Sequence, residues 1–271
     1  MKDILCVLYD GADSTSAKEA KQVKIVFRPE SENLEKYIET NQEKQIYMLL
    51  KPEYFTLENM KRIESLKKFD NWTLILPVEL ILDAKKKLDR VKFNAIQDCC
   101  NRYMFADMIG NWEVLQFILS LEPSEVYLTN MLGFCIPDAK KVCGSTGIRL
   151  VANMAQTAWD SSPDLTKFFI RPEDVDVYTP YISGIEFVGD APIQEVCYKV
   201  YNRGYWYGDL CELIIGFDDH VDSRTLPPQF GEYRLKCKKR CITGANCSLC
   251  KSMKVFSEKL KEANLRIVPK K

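Results

Sequence analysis

The chain has 271 residues, 46% of them hydrophobic, with 38 Lys or Arg against 38 Asp or Glu and a single histidine. That is enough apolar material for one large core, as one α/β barrel or two ordinary domains. One histidine excludes histidine-rich metal sites and H-E-x-x-H proteases, and neither G-x-G-x-x-G after a first strand nor G-x-x-x-x-G-K-[ST] is present to bind a nucleotide.

The opening MKDILCVLYDGADSTS has a six-residue apolar run before polar residues, too short for the apolar region of a signal peptide or for a membrane span. No later run approaches the roughly 18 apolar residues a spanning helix needs. A soluble, cytoplasmic protein is expected.

From there the chain repeats one unit. VKIVFRP precedes a helix from about Ser31, IYMLLKP one from Thr56, and WTLILP one from Asp83. MFADMI, VYLTN, IRLVAN, FFIRP and IEFVG follow, each with a polar or helical stretch behind it. This makes eight strand candidates between Val23 and Gly189, or nine with ILCVLY. Runs apolar on both faces, separated by helix-sized crossovers, describe a parallel sheet covered by helices. The spacing predicts an α/β fold, a closed (β/α)8 TIM-like barrel over residues 1–217, rather than an open doubly wound sheet. Residues 218–271 form a short basic, Cys-rich extension ending in a helix.

Three strand ends share a signature: FRPE at Phe27–Glu30, LKPE at Leu50–Glu53 and IRPE at Ile170–Glu173. Proline suits the first turn of a helix and glutamate its positive end, so Pro29, Pro52 and Pro172 with their glutamates have a structural reason to exist. The cations Arg28, Lys51 and Arg171 lack that reason. Either each pairs with a nearby helix-start acid, or together they line the rim where a barrel's strands end and bind a phosphate or carboxylate. Later strand ends carry Asn130, Asn153, Arg171, Glu173 and Glu186. Glu186 sits between apolar residues on a strand, where an unpaired carboxylate is costly, so it is expected to pair with Arg171 or to take part in chemistry.

YNRGYWY, Tyr201–Tyr207, follows a helix and is expected to close the core, with base stacking as the alternative. His220, in FDDHVDS, reads as a surface-loop histidine beside three aspartates.

Four of the eleven cysteines, Cys237, Cys241, Cys247 and Cys250, fall within fourteen residues as C-x3-C-x5-C-x2-C. Thiolates this crowded are tolerable chiefly around a cation, so they are candidate metal ligands. The five-residue inner gap is tight for a zinc knuckle pair, which favours a [4Fe-4S] cluster over zinc. The other seven, Cys6, Cys99, Cys100, Cys135, Cys143, Cys197 and Cys211, lie in apolar segments and read as core thiols of a reducing compartment. Residues 236–271 carry a net +9 and the preceding residues −9. A basic tail on an acidic body points to a polyanionic partner, RNA first, with a solubilising terminal helix as the alternative. Met253, Phe256, Leu260 and Ala263 give that helix an apolar stripe to dock on the barrel.

Asn130 with Leu132 and Gly133, then Asn153, then Arg171 and Glu173, then E-F-x-G at Glu186, Phe187 and Gly189 resemble the collagenase-like peptidase family (peptidase family U-32) over about Glu125–Asp190. The resemblance implies a barrel domain, cysteine-bound [4Fe-4S] in many members, and oxygen-independent hydroxylation of tRNA, rRNA or a quinone precursor. The family's E-F-x-G runs on through His-Gly to a ligand cysteine, whereas here Gly189 is followed by Asp190, Ala191 and Pro192. Any cluster ligands have moved to the tail.

The leading expectation is an iron-sulfur enzyme modifying RNA or a small anionic substrate. Glu186, Arg171 and Glu173 are its catalytic candidates, Arg171 binding an anion and Glu186 handling protons; Asn130, Asn153, Arg28 and Lys51 are its substrate-binding candidates. The alternative is a non-catalytic barrel whose zinc-held basic tail docks nucleic acid or protein.

Overall fold

The β-branched and aromatic runs form eight strands: β1 (Leu5–Tyr9), β2 (Gln22–Val26), β3 (Gln45–Leu49), β4 (Trp72–Pro77), β5 (Tyr103–Asp107), β6 (Glu125–Leu128), β7 (Gly147–Ala152) and β8 (Gly184–Phe187). Each pairs in parallel with the next, and β8 returns to β1 through Leu5↔Ile185 and Cys6↔Glu186. The expected (β/α)8 TIM-like barrel is therefore present in the computed structural model of the protein. It describes residues 2–9, 15–30, 33–107, 112–128, 136–152, 169–187, 189–214 and 220–236, with short pieces between 248 and 259.

ILCVLY, which the sequence left open as a ninth candidate, is the first barrel strand. One assignment differs from the sequence reading: among its described residues FFIRP supplies no strand, and Phe169–Arg171 run straight into a 3-10 turn at Pro172–Asp174. Pro172 cannot donate to a ladder, and the Arg171 guanidinium is bound to Asp174 three residues on.

Helices α1 (Thr15–Glu19), α2 (Leu34–Thr40), α3 (Leu57–Glu64), α4 (Arg90–Cys99), α5 (Trp112–Leu119), α6 (Ile136–Cys143), α7 (Val175–Tyr178) and α8 (Ala191–Arg203) fill the crossovers and follow β8. Local chemistry sets their ends. The Thr56 hydroxyl accepts from the N–H of Asn59 to start α3, and Asp190 accepts from Ile193 to start α8. Gly204, at φ 85°, ends α8 in the left-handed region. The helix expected from Asp83 begins only at Arg90, because the Asp83 carboxylate accepts from Lys85 and Lys87 and closes a turn whose arms bridge at Leu82↔Leu88.

The main core lies between strands and helices. Val23, Ile25, Ile46, Met48, Leu74, Phe105, Ile148, Ile185 and Phe187 face outward from the strands onto Ile38, Ile63, Ile96, Ile118 and Tyr198. Cys99, Cys100, Cys143 and Cys197 belong to it, as expected of core thiols, while Cys6 is buried inside the barrel. Helix α8 covers β1, with Gln194 Oε1 accepting from the Leu8 N–H and Glu195 from that of Ser16.

Residues 220–235, assigned by sequence to the tail, pack in the same core. Val221, Leu226 and Phe230 are buried in it, and Phe230 in α9 (Phe230–Leu235) stacks on Phe169 at 5.3 Å. Of the apolar stripe in the terminal helix, Phe256 is among the described residues and packs against the core. Among the described residues no helix is long and apolar enough to cross a membrane.

Candidate active site in the barrel lumen

Strand residues alternate between the two faces, and the stagger of a closed barrel stacks the inward ones in layers of four from alternate strands. The observed register gives, from the amino end of the strands, Gln22, Thr73, Glu125 and Gly184; then Cys6, Tyr47, Met104 and Arg149; then Lys24, Ile75, Tyr127 and Glu186. Leu49 and Ala106 pack above these. Aliphatic side chains ordinarily fill such a lumen. Here all three of these layers carry charge.

Glu186 stands at the centre of the upper charged layer, its side chain 3% exposed. Its Oε1 accepts from Lys24 Nζ at 2.8 Å, and its Oε2 accepts a very short hydrogen bond from the Tyr127 hydroxyl. Lys24 Nζ also lies 3.3 Å from that hydroxyl and 5.0 Å from the centre of the Tyr127 ring. Burial, then the Glu186 charge, push the Tyr127 hydroxyl well above the usual phenol range, so it stays a donor. Lys24 is the most accessible member, its side chain 14% exposed.

The layer beneath is built on Arg149, which is 1% exposed. Its guanidinium stacks on the Tyr47 ring at 3.6 Å and its Nη2 lies 3.4 Å from Glu125 Oε2. Nε and Nη1 meet no partner among the described residues. Burial, only partly opposed by Arg149, pushes the Cys6 thiol up to about 12, so Cys6 is not a thiolate nucleophile.

The expected site residues separate. Glu186 is in the lumen, but its partners are Lys24 and Tyr127 rather than Arg171. Arg171 is buried outside the barrel: Nε and Nη2 hold Asp174 at 2.6 and 2.8 Å, Nη1 and Nη2 donate to the carbonyls of Ser223 and Pro227, and Phe230 lies beneath at 5.0 Å. With its donors so occupied it fastens residues 223–231 and has no opening to a substrate. Glu173 does the same work, accepting from the Trp206 N–H at 2.8 Å and from the Ser223 hydroxyl at 3.0 Å. Arg28 and Lys51 are exposed just past the carboxyl ends of β2 and β3, Lys51 at 3.9 Å from Glu53. Asn130 and Asn153, and all four cysteines Cys237, Cys241, Cys247 and Cys250, lie outside the described residues.

Sequence reasoning missed Lys24, Tyr127, Tyr47, Arg149 and Glu125. Their signal was phase: each sits on the inward face of its strand, as do Gln22, Gln45 and Glu186, opposite the residues that pack on helices.

The aromatic run divides. Tyr201 is buried and donates to the Ile170 carbonyl at 2.6 Å, and Trp206 Nε1 donates to that of Asp209 at 3.0 Å. Tyr205 and Tyr207 instead stand outside at 4.8 Å from one another, Tyr207 67% exposed, with Arg203 over one ring and Arg224 near the other. His220 pairs with Asp209, beside Cys211; of its three neighbouring aspartates only Asp222 is among the described residues.

Comparison with protein-family models and with curated proteins gives no match.

Proposed function

We propose that the chain is an enzyme working at the carboxyl-terminal mouth of its barrel, with Glu186 moving protons and Lys24 holding an anionic substrate. The observation that carries this is the buried Lys24–Glu186–Tyr127 group, with Lys24 Nζ 2.8 Å from Glu186 and the Tyr127 hydroxyl bonded to the same carboxylate, set in a lumen layer otherwise closed by Ile75 and roofed by Leu49 and Ala106. A buried ion pair gives little net stability compared with apolar packing, so its place in a core calls for another reason. Lys24, nearest to solvent, would meet the substrate; Tyr127 keeps its proton and orients the carboxylate.

Arg28 and Lys51 lie past the ends of β2 and β3 and add positive charge to the same face. RNA, or a small anionic molecule, is the substrate class this charge favours. The exposed Tyr205–Tyr207 pair with Arg203 and Arg224 offers a place for bases to stack. With the resemblance over Glu125–Asp190, the reading is an oxygen-independent hydroxylase of the collagenase-like peptidase type. Cys237, Cys241, Cys247 and Cys250 supply the four thiolates a [4Fe-4S] cluster takes, and the cluster would supply one-electron redox chemistry.

One observation favours a second reading, a non-catalytic barrel with a zinc-held tail as an assembly subunit: Arg171 and Glu173 serve to fasten residues 206–231 to the barrel.

The test compares total RNA from cells expressing the wild-type chain with RNA from cells expressing Glu186→Gln, by nucleoside mass spectrometry, alongside iron and acid-labile sulfide in anaerobically purified protein. A nucleoside heavier by one oxygen, present only with the wild type, and about four irons with four sulfides per chain are expected. One zinc that is lost when Cys247 and Cys250 are replaced by alanine, with no sulfide and identical RNA, would favour the assembly reading instead.

A further inference from the structure

Asp209, Cys211 and His220 converge at a place the lumen chemistry does not use. Asp209 and Asp222 face one another across an isolated antiparallel bridge, and the Leu210 N–H donates to the Val221 carbonyl at 2.9 Å. The turn bearing Cys211 and the segment bearing His220 are thereby held as one unit. Asp209, its side chain 4% exposed, accepts at Oδ1 from the N–H groups of Cys211 and Val221, at 3.1 and 3.2 Å. That fixes its Oδ2 toward His220 Nδ1, 2.6 Å away. Cys211 Sγ lies 3.5 Å from the same nitrogen. Carboxylate, thiol and imidazole present one ligand atom each, all within 4.8 Å of one another.

We propose that Asp209, Cys211 and His220 bind a single zinc-type divalent cation, with a fourth coordination position open to water. The ligand set has the mixed hardness that such borderline cations take, and three protein ligands plus an open position is the arrangement of exchange-competent zinc sites. In a tetrahedron with bonds of about 2.0–2.3 Å the ligand atoms stand about 3.3–3.6 Å apart. Sγ and Nδ1 already meet that spacing. Oδ2 and Nδ1 must part by less than about 1 Å, which a small swing of His220 provides, since its side chain is 55% exposed. The carboxylate is oriented by two backbone N–H groups, the outer support a ligand needs. Burial, then Asp209, push the Cys211 thiol up to about 12; a cation between them acts in the opposite sense, and its binding releases protons. The three ligands lie outside the four-cysteine stretch in sequence, and the proposal stands whether or not that stretch holds iron.

The test uses the full chain with Cys237, Cys241, Cys247 and Cys250 replaced by serine, titrated with cobalt(II) and then zinc against a chromophoric chelator. One equivalent is expected, with a thiolate-to-cobalt charge-transfer band that Cys211→Ser removes. His220→Ala should weaken binding at least about tenfold while circular dichroism and the melting curve stay as before, His220 being exposed. No stoichiometric binding, or binding indifferent to both substitutions, overturns the proposal. Should the four-serine chain fail to fold, the wild-type chain and its His220→Ala variant are compared for zinc after equilibrium dialysis. One equivalent fewer in the variant supports the site, and equal content overturns it.

Discussion

Gly184 and Arg149 share one volume at the foot of the barrel: a β-carbon on Gly184 would lie 2.2 Å from Arg149 Nη1 and 2.8 Å from Cζ. The glycine is there to admit the guanidinium, held in place by the Tyr47 ring on which it stacks. Gly184→Ala is expected to destabilise the fold by about 1–3 kcal/mol, read as a lower urea midpoint at unchanged slope. Adding Arg149→Met should recover most of that loss. A double variant no more stable than the single one would show that the strain lies elsewhere.

Lys24 and Glu186 form a buried pair, so removing one charge strands the other. Lys24→Met should cost about 3–5 kcal/mol, and Lys24→Met with Glu186→Leu much less, because a pair exchanged for apolar packing loses little. Urea unfolding of both single variants and the double variant gives the coupling directly. Additive losses would mean that the two side chains do not interact in solution.

Arg171 was assigned by sequence to substrate, yet it holds Asp174 and the carbonyls of Ser223 and Pro227. Arg171→Met is expected to cost about 3–5 kcal/mol and to open residues 220–236 to protease. A substrate-binding arginine would behave differently, raising KM in a protein whose stability and digestion pattern were unchanged.

The Cys211 thiol gives a pH signature. An ordinary thiol titrates near 9.0 and this one at about 12, raised by burial and then by Asp209. At pH 9 its thiolate fraction is about one in a thousand instead of about half. Alkylation at Cys211, followed by peptide mass spectrometry on chelator-treated protein, should therefore keep rising with pH from 9 to 11. Asp209→Asn removes the charge that disfavours the thiolate, so the profile should move to lower pH. A rate that levels off near pH 9 in the wild type would contradict the geometry.

The barrel could be read from the chain because each strand's outward face is apolar and each crossover is helix-sized. Its polar lumen was harder to see. Treating VKIVF or VYLTN as apolar on both faces hides Lys24 and Tyr127, whereas following the alternate positions of all the strands together brings Lys24, Tyr47, Tyr127, Arg149 and Glu186 into one file. FFIRP looked like a strand because Phe169 and Ile170 are core residues, but burial against helices needs no ladder. The pairing of Arg171 with a nearby helix-start acid, Asp174, was one of the two readings open to the sequence, whereas its carbonyl contacts, Ser223 and Pro227, could not be read because they lie some fifty residues further on. Likewise His220 has aspartates on both sides in sequence, and the bridge at Asp209↔Asp222 brings it a different one.

Among the described residues the seam where β8 returns to β1 is joined at Leu5↔Ile185 and Cys6↔Glu186, while β2 and β3 are matched at five positions. Closing it joins segments separated by nearly the whole barrel, so among the strand pairings it carries the largest loop-closure entropy. Since Glu186 sits on that seam, the carboxylate at the centre of the lumen is set in place by the closure of the ring, and α8, holding β1 through Gln194 and α1 through Glu195, braces the ring there.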